Sequence, residues 1–165
     1  EYKYIYIIMK IQINKYDLTR GIAKNILSNK LEGIWHTGIM IDDIEYFYGA
    51  GIQKMPNTEF IKLQGGLFPY ETYDYGETTK TMEEINIFLN QNEHLYKVDN
   101  YNIISHNCNH FTNNFCKFLV NKEISNEIVD QAKNIVDSMN SFIGVFFKNA
   151  SKEFHKSNCK LITKN

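Results

Sequence analysis

Apolar positions along the chain fall into runs with two different periods. Residues 4–13 (YIYIIMKIQI) are rich in Ile and Tyr with polar residues alternating late, which predicts an opening strand. Within residues 17–29, Leu18, Ile22 and Ile26 recur at i, i+4 and i+8, the spacing of a one-sided helix, with Gly21 as a weak point. Residues 34–41 and 44–48 are β-prone runs joined by Asp42-Asp43, which reads as a hairpin, and a third short strand is expected from Ile52, after Gly49-Ala50-Gly51. Both prolines, Gly65-Gly66 and Gly76 lie in residues 56–80, so that stretch reads mostly as loop, with one strand around residue 70. Thr81-Met82-Glu83-Glu84 has the form of a capping box, and Met82, Ile85 and Leu89 carry the helix it starts to about residue 93. Phe111, Phe115, Phe118 and Leu119 mark a further helix, with Asn107 as a favourable N-cap and Cys108 in its first turn. Ile128, Ala132, Ile135 and Met139 outline a weaker helix over residues 127–140, and the segment from 149 onward is polar. One domain over residues 4–148 and a polar tail over 149–165 is the expected organisation.

Composition narrows the function classes. The chain has 165 residues, and 18 basic against 19 acidic side chains leave a net charge of -1, so no basic stripe marks a nucleic-acid partner. Asn, Ile and Lys are abundant and Arg20 is the single arginine, a skew that reflects coding bias more than physical need. Three cysteines, at 108, 116 and 159, make neither an even disulfide framework nor a CxxC pair, which fits a reducing compartment. The apolar run at residues 4–9 is far shorter than the roughly 20 residues of a membrane span. A soluble protein of the cytoplasm, and also of the nucleus, is the expectation, and the first residue, Glu1 in place of Met, reads as a trimmed or internal sequence.

The chemistry centres on a thiol. In the first turn of a helix, Cys108 would face the positive end of the macrodipole and unpaired backbone N–H groups, which favour a thiolate and can also bind an oxyanion. Free cysteine at the head of an apolar stripe is equally a core residue, and position alone leaves both readings open. His106 and His110 lie two residues from Cys108 and do not face it on a helix, whereas His36, on a separate strand, is placed as a base; a satisfied, half-buried histidine is the alternative there. His106-x-Cys108-x-His110 lacks a fourth ligand and converges only on a strand, so no metal and no cofactor are expected. Cys116, inside the helix, and Cys159, in the tail, have no base nearby in sequence. Trp35 and the Gly49–Gly51 turn are candidate walls of a substrate groove, and Gln53 and Asn107 are candidate additional groups beside the reacting carbonyl.

Four segments together, YDLTRG (16–21), GIWHTGI (33–39), EYFYGAGI (45–52) and HNCNHFTNNFCKFL (106–119), resemble the PPPDE family of DeSI-type desumoylating and deubiquitinating isopeptidases over about residues 4–145. The order of the motifs and the separation of about 70 residues between His and Cys agree with that family. The resemblance implies an α+β, circularly permuted papain-like fold, a small mostly antiparallel β-sheet or barrel packed against helices. It also implies a catalytic dyad of Cys108 and His36. The reaction it implies is removal of ubiquitin or a ubiquitin-like modifier such as SUMO from conjugated lysines. Some members are homodimers with the groove near the interface, and the same is an expectation here. The dyad chemistry also suits two alternatives, a protein S-acyl (palmitoyl) thioesterase and a non-catalytic binding module that kept the fold. Departures from the family pattern are His110-Phe111-Thr112 after Asn-Cys-Asn, which brings a second imidazole near the nucleophile, and the proline-free stretch 121–140.

Overall fold

In the computed structural model, which describes residues 8–27 and 31–138, five strands form one antiparallel sheet in the order β4-β3-β2-β1-β5. The strands are β1 (Met9–Asp17), β2 (Trp35–Ile41), β3 (Ile44–Gly49), β4 (Gly51–Pro56) and β5 (Glu71–Thr78). The helices are α1 (Ile22–Leu27), α2 (Asn57–Leu63), α3 (Met82–Asn92), α4 (Cys108–Val120), α5 (Asn126–Val129) and α6 (Gln131–Ser138). The fold is therefore α+β. Ile11 and Ile13 of β1, Ile39 and Ile41 of β2, and Tyr46 and Tyr48 of β3 point to one face, where Ile85 and Leu89 of α3 and Phe111, Phe115 and Leu119 of α4 cover them. On the other face Tyr16 and Phe47 pack on Phe60 of α2. Period-two alternation in the strands thus feeds two separate cores.

Local chemistry accounts for the boundaries that matter. Asp42, at φ 52°, turns β2 into β3. Gly51, at φ +99°, turns β3 into β4, a backbone shape that L side chains rarely adopt. Thr81 accepts from the Glu84 N–H while the Glu84 carboxylate accepts from the Thr81 N–H, completing the capping box expected at α3.

Four expectations need correction or refinement. The helix read over residues 17–29 begins only at Ile22, because the Asp17 carboxylate gathers the N–H groups of Thr19 (2.9 Å), Gly21 (2.6 Å) and Ile34 (3.1 Å) and the Thr19 hydroxyl (2.7 Å), fixing residues 17–21 as a turn. Ile22 and Ile26 are consequently exposed, at 48% and 65%, and Ala23 is the buried position of α1. Residues 56–80 contain the strand expected around residue 70, as the eight-residue β5, and also α2 where loop was expected; α2 buries only Phe60, so its apolar signal is faint. The helix read over 127–140 is two helices parted at Asp130, with Ala132 and Ile135 buried against Ile34 and Met139 outside the described residues. The opening strand runs from Met9 to Asp17, longer at its C-terminal end than expected; residues 4–7 and the tail from 149 lie outside the described residues. Among the described residues no helix is long and apolar enough to cross a membrane.

Candidate active site

β3 pairs with β2 only between Ile39–Ile41 and Ile44–Tyr46, so the stretch of β2 at residues 35–37 needs other partners along that edge. Side chains of α4 and α6 supply them. The Trp35 N–H donates to Gln131 Oε1 (2.9 Å) and its carbonyl accepts from Asn109 Nδ2 (3.1 Å). The Thr37 carbonyl accepts from the Thr112 hydroxyl (3.1 Å), and the Thr37 N–H donates to the sulfur of Cys108. The thiol thus lies against the peptide that links His36 to Thr37, in the place a strand's acceptor would fill.

α4 presents the thiol there because of its cap. Asn107 Oδ1 accepts from the N–H groups of Asn109 (2.9 Å) and His110 (3.3 Å), and Asn107 Nδ2 ties the cap to the Ile103 carbonyl (2.7 Å). The expected N-cap at Asn107 and first-turn position of Cys108 are both present. His110 completes the box through its ring, Nδ1 accepting from the Asn107 N–H (3.4 Å), so the second imidazole serves the cap. Burial lowers its pKa below the usual histidine range.

Cys108 is 4% exposed. Burial pushes its thiol up to about 11, against the opposing pull of the Thr37 N–H, the Tyr101 hydroxyl and the N–H groups of Asn109 and Cys108 itself. The helix terminus was expected to favour the thiolate; desolvation outweighs it. Around the sulfur stand the Tyr101 hydroxyl at 3.9 Å and Asn109 Oδ1 at 3.7 Å. Asn109 Oδ1 also accepts from the Thr37 hydroxyl (2.9 Å), and its Nδ2 reaches the Ile128 carbonyl (3.1 Å).

His36 alternates with Thr37 along β2 and leaves the strand on the other face. Its ring is stacked on Phe60 (centroids 5.7 Å apart, 12° between planes) and lies 5.9 Å from Tyr16 and 6.0 Å from Phe47. Complete burial lowers its pKa to about 3, so the imidazole is neutral at physiological pH. Glu45 lies on this same face, its carboxylate accepting from Tyr16 (2.7 Å) and Asn57, with Gly38 leaving the room it occupies.

The remaining predicted residues divide. Trp35 packs over Gly33, where an added Cβ would stand 2.6 Å from the indole, and faces Tyr70 (5.1 Å) and the Lys15 ammonium (4.7 Å). Gly49 and Gly51 flank the turn after Tyr48, with Gly51 beside the Tyr96 carbonyl; the Tyr48 ring packs with those of Tyr96, Tyr101 and His106, and of these Tyr101 reaches Cys108. Gln53 instead lines a cavity of about 190 Å³ between β4 and α3 with Asn86, Leu89, Asn90 and Glu93, whose lining does not include Cys108. Cys116 is buried inside α4. No group of three His, Cys, Asp or Glu residues among the described residues is arranged to hold a metal ion. Sequence reasoning missed Tyr101, Asn109 and Gln131. Only Asn109 had a signal, its place in the Asn-Cys-Asn triplet; the other two act from loops and helices that no spacing links to Cys108.

The sequence profile of the PPPDE peptidase domain matches residues 9–146. Desumoylating isopeptidase 1 of Homo sapiens is 32% identical over 137 residues, covering 78% of this chain and 77% of its own. The proteins of the same name from Rattus norvegicus and Xenopus laevis are 31% and 30% identical, with the same coverage of each chain. With a profile match across most of the chain and relatives at 30–32% identity over 77% of their own length, the chain belongs to the PPPDE peptidase family.

Proposed function

We propose that this protein is a cysteine isopeptidase that removes SUMO or a related ubiquitin-like modifier from lysine side chains, on a permuted papain-like arrangement of helix and strand. The observation that carries the reading is the Cys108 thiol at the start of α4, held against the His36–Thr37 peptide by backbone N–H donors. In this reading Cys108 attacks the carbonyl of the modifier's C-terminal glycine, and the family resemblance assigns to His36 the transfer of the thiol proton to the leaving lysine amine, while in this structure the ring stands on the other face of β2 against Phe60. The backbone N–H of Cys108 stabilises the tetrahedral oxyanion. Trp35 and the Gly49–Gly51 turn wall the groove that receives the extended modifier tail. The relatives named desumoylating isopeptidase support SUMO as the first modifier to test.

Purified protein is incubated with SUMO-conjugated and ubiquitin-conjugated substrates, alongside Cys108→Ala and His36→Ala variants. Release of free modifier by the parent protein, and its loss in both variants at unchanged thermal stability of Cys108→Ala, is the expected result. An active Cys108→Ala protein would end the proposal. Labelling of Cys108 by an electrophilic SUMO-tail probe checks the same nucleophile without turnover.

A further inference from the structure

Tyr101 is fixed beside the nucleophile by a tightly closed loop. Asn102 and His106 exchange both backbone hydrogen bonds (3.0 and 2.8 Å), and Asn102 Oδ1 accepts from the N–H groups of Ile104 (2.9 Å) and Ser105 (3.1 Å). This closure sets the separation between Tyr101, just before the loop, and Cys108, just after it. The Tyr101 ring rests 5.1 Å from Tyr48, whose own hydroxyl is held by the Lys97 carbonyl (2.8 Å). The result is a hydroxyl that donates to the Cys108 sulfur at 3.9 Å.

The geometry points to Tyr101 as a further catalytic residue: its hydroxyl stabilises the negative charge of the Cys108 sulfur as the thiol proton leaves, and stays beside that charge as it passes to the substrate carbonyl. The proposal rests on the isopeptidase reading and adds a side-chain donor to it. The step balances without consuming Tyr101. The S–H proton passes to the general base of the isopeptidase reading, the S–C bond forms, and the carbonyl π pair moves to the oxygen; Tyr101 keeps its proton throughout. Burial, followed by the proximity of Cys108, holds the tyrosine hydroxyl well above its usual range, so it acts as a donor at every pH at which the protein is folded and working. The other donors to the sulfur are backbone N–H groups of Thr37, Asn109 and Cys108. Tyr101 is therefore the side chain among them that mutation can remove without disturbing the backbone. In the buried site, a hydrogen bond to an anion is worth more than one in water.

Tyr101→Phe keeps the ring and removes the oxygen. The rate of Cys108 alkylation by iodoacetamide, read by peptide mass spectrometry so that Cys116 and Cys159 do not contribute, is measured across pH for the parent and variant. Loss of one hydrogen bond to a thiolate should raise the apparent pKa by about one unit, a roughly tenfold slower rate on the rising limb. With SUMO conjugates, kcat/KM should fall by about 10²-fold or more, the loss typical of one oxyanion-hole donor. An unchanged alkylation profile in a folded Tyr101→Phe protein overturns the proposal, whatever happens to turnover. Replacing Tyr101 with a fluorotyrosine gives the second variant: a more acidic hydroxyl should lower the Cys108 pKa, and no change in either direction overturns the proposal equally. If the parent protein releases no modifier at all, the isopeptidase reading fails while the alkylation profiles still decide the role of Tyr101.

Discussion

Asn109 offers the most direct test of how the Cys108 thiol is positioned. Its amide is 4% exposed and joins three elements: Oδ1 accepts from the Thr37 hydroxyl at 2.9 Å, and Nδ2 donates to the carbonyls of Trp35 and Ile128, both at 3.1 Å. Asn109→Ala leaves a hydroxyl and two carbonyls with one partner fewer each, in a place water enters poorly. One stranded buried group costs about 1–3 kcal/mol, and partial rescue of the Thr37 hydroxyl by rotation puts the total at about 3 kcal/mol. For a domain of this size that lowers Tm by about 6–12 °C. Asn109→Asp is isosteric and sharper, since it turns carboxylate oxygens toward two carbonyl oxygens. Its folded-state pKa must rise above the unfolded value near 4, so the folded form binds more protons than the unfolded form between the two pKa values. Stability of the Asp variant relative to the parent should therefore fall as pH rises from about 4 to 7, by up to about 1.4 kcal/mol per unit. Urea unfolding of the parent and both variants at pH 4.5, 6 and 7.5 reads the effect. An Asn109→Ala protein within 0.5 kcal/mol of the parent, or an Asp variant whose deficit is flat with pH, refutes this account of the site's scaffold.

Asp17→Ala should cost about 3 kcal/mol, because four donors to one carboxylate lose their acceptor together; thermal unfolding measures it, and a shift under 2 °C would show the turn at residues 17–21 to be held otherwise. Gly38→Ala should destabilise by about 1–3 kcal/mol, because its Cβ would stand 2.2 Å from Oε1 and 2.8 Å from Cγ of fully buried Glu45, and the penalty should shrink in a Glu45→Ala background, which a double-mutant cycle reads directly. His36, held at about 3 in the fold against 6.5 unfolded, binds fewer protons folded than unfolded in that window, so its contribution is intact above pH 6.5 and lost as pH falls toward 3, at roughly 1.4 kcal/mol per unit. His36→Phe should remove that part of the acid sensitivity, and an unaltered slope of stability against pH between 4 and 6.5 would count against complete burial of the imidazole.

What the sequence made legible follows from where each signal resides. Thr81-x-x-Glu84 and Asn107 are local caps whose donors and acceptors lie within four residues of each other, so pattern alone located α3 and the start of α4. The β2–β3 hairpin was equally local, two β-prone runs around Asp42-Asp43. Ile22 and Ile26 misled because spacing records amphipathicity without saying what lies opposite, and here the Asp17 turn aims α1 so that Ala23 is buried instead. α2 was invisible because Phe60 is its only buried side chain. Cys108 and His36 were visible as residue types on rigid elements, but not that the His36 ring leaves β2 toward Phe60, away from α4. Asn109, Thr112 and Gln131 were not, since their work is to satisfy the edge of β2 that β3 leaves uncovered, a need that exists only once the sheet is assembled.

The position of Cys108 sets two opposing effects against each other. A helix N-terminus stabilises an adjacent anion by about 0.3–2 kcal/mol, and four hydrogen-bond donors add to it. The thiol nevertheless lies about two units above its ordinary 9.0, so desolvation exceeds the sum of those gains by roughly 3 kcal/mol. Burial acts on both groups in the same sense, raising the pKa of Cys108 and lowering that of His36, so it favours the neutral thiol and the neutral imidazole. If Cys108 is the nucleophile, its proton must leave as the S–C bond forms, while the donors wait in place for charge that exists only during reaction. Such donors contribute most where water is scarce, so the burial that suppresses the resting thiolate also strengthens its stabilisation in the transition state. Widening the site should therefore speed alkylation of Cys108 by small reagents while slowing isopeptide cleavage, a divergence that an exposed, pre-ionised cysteine would not show.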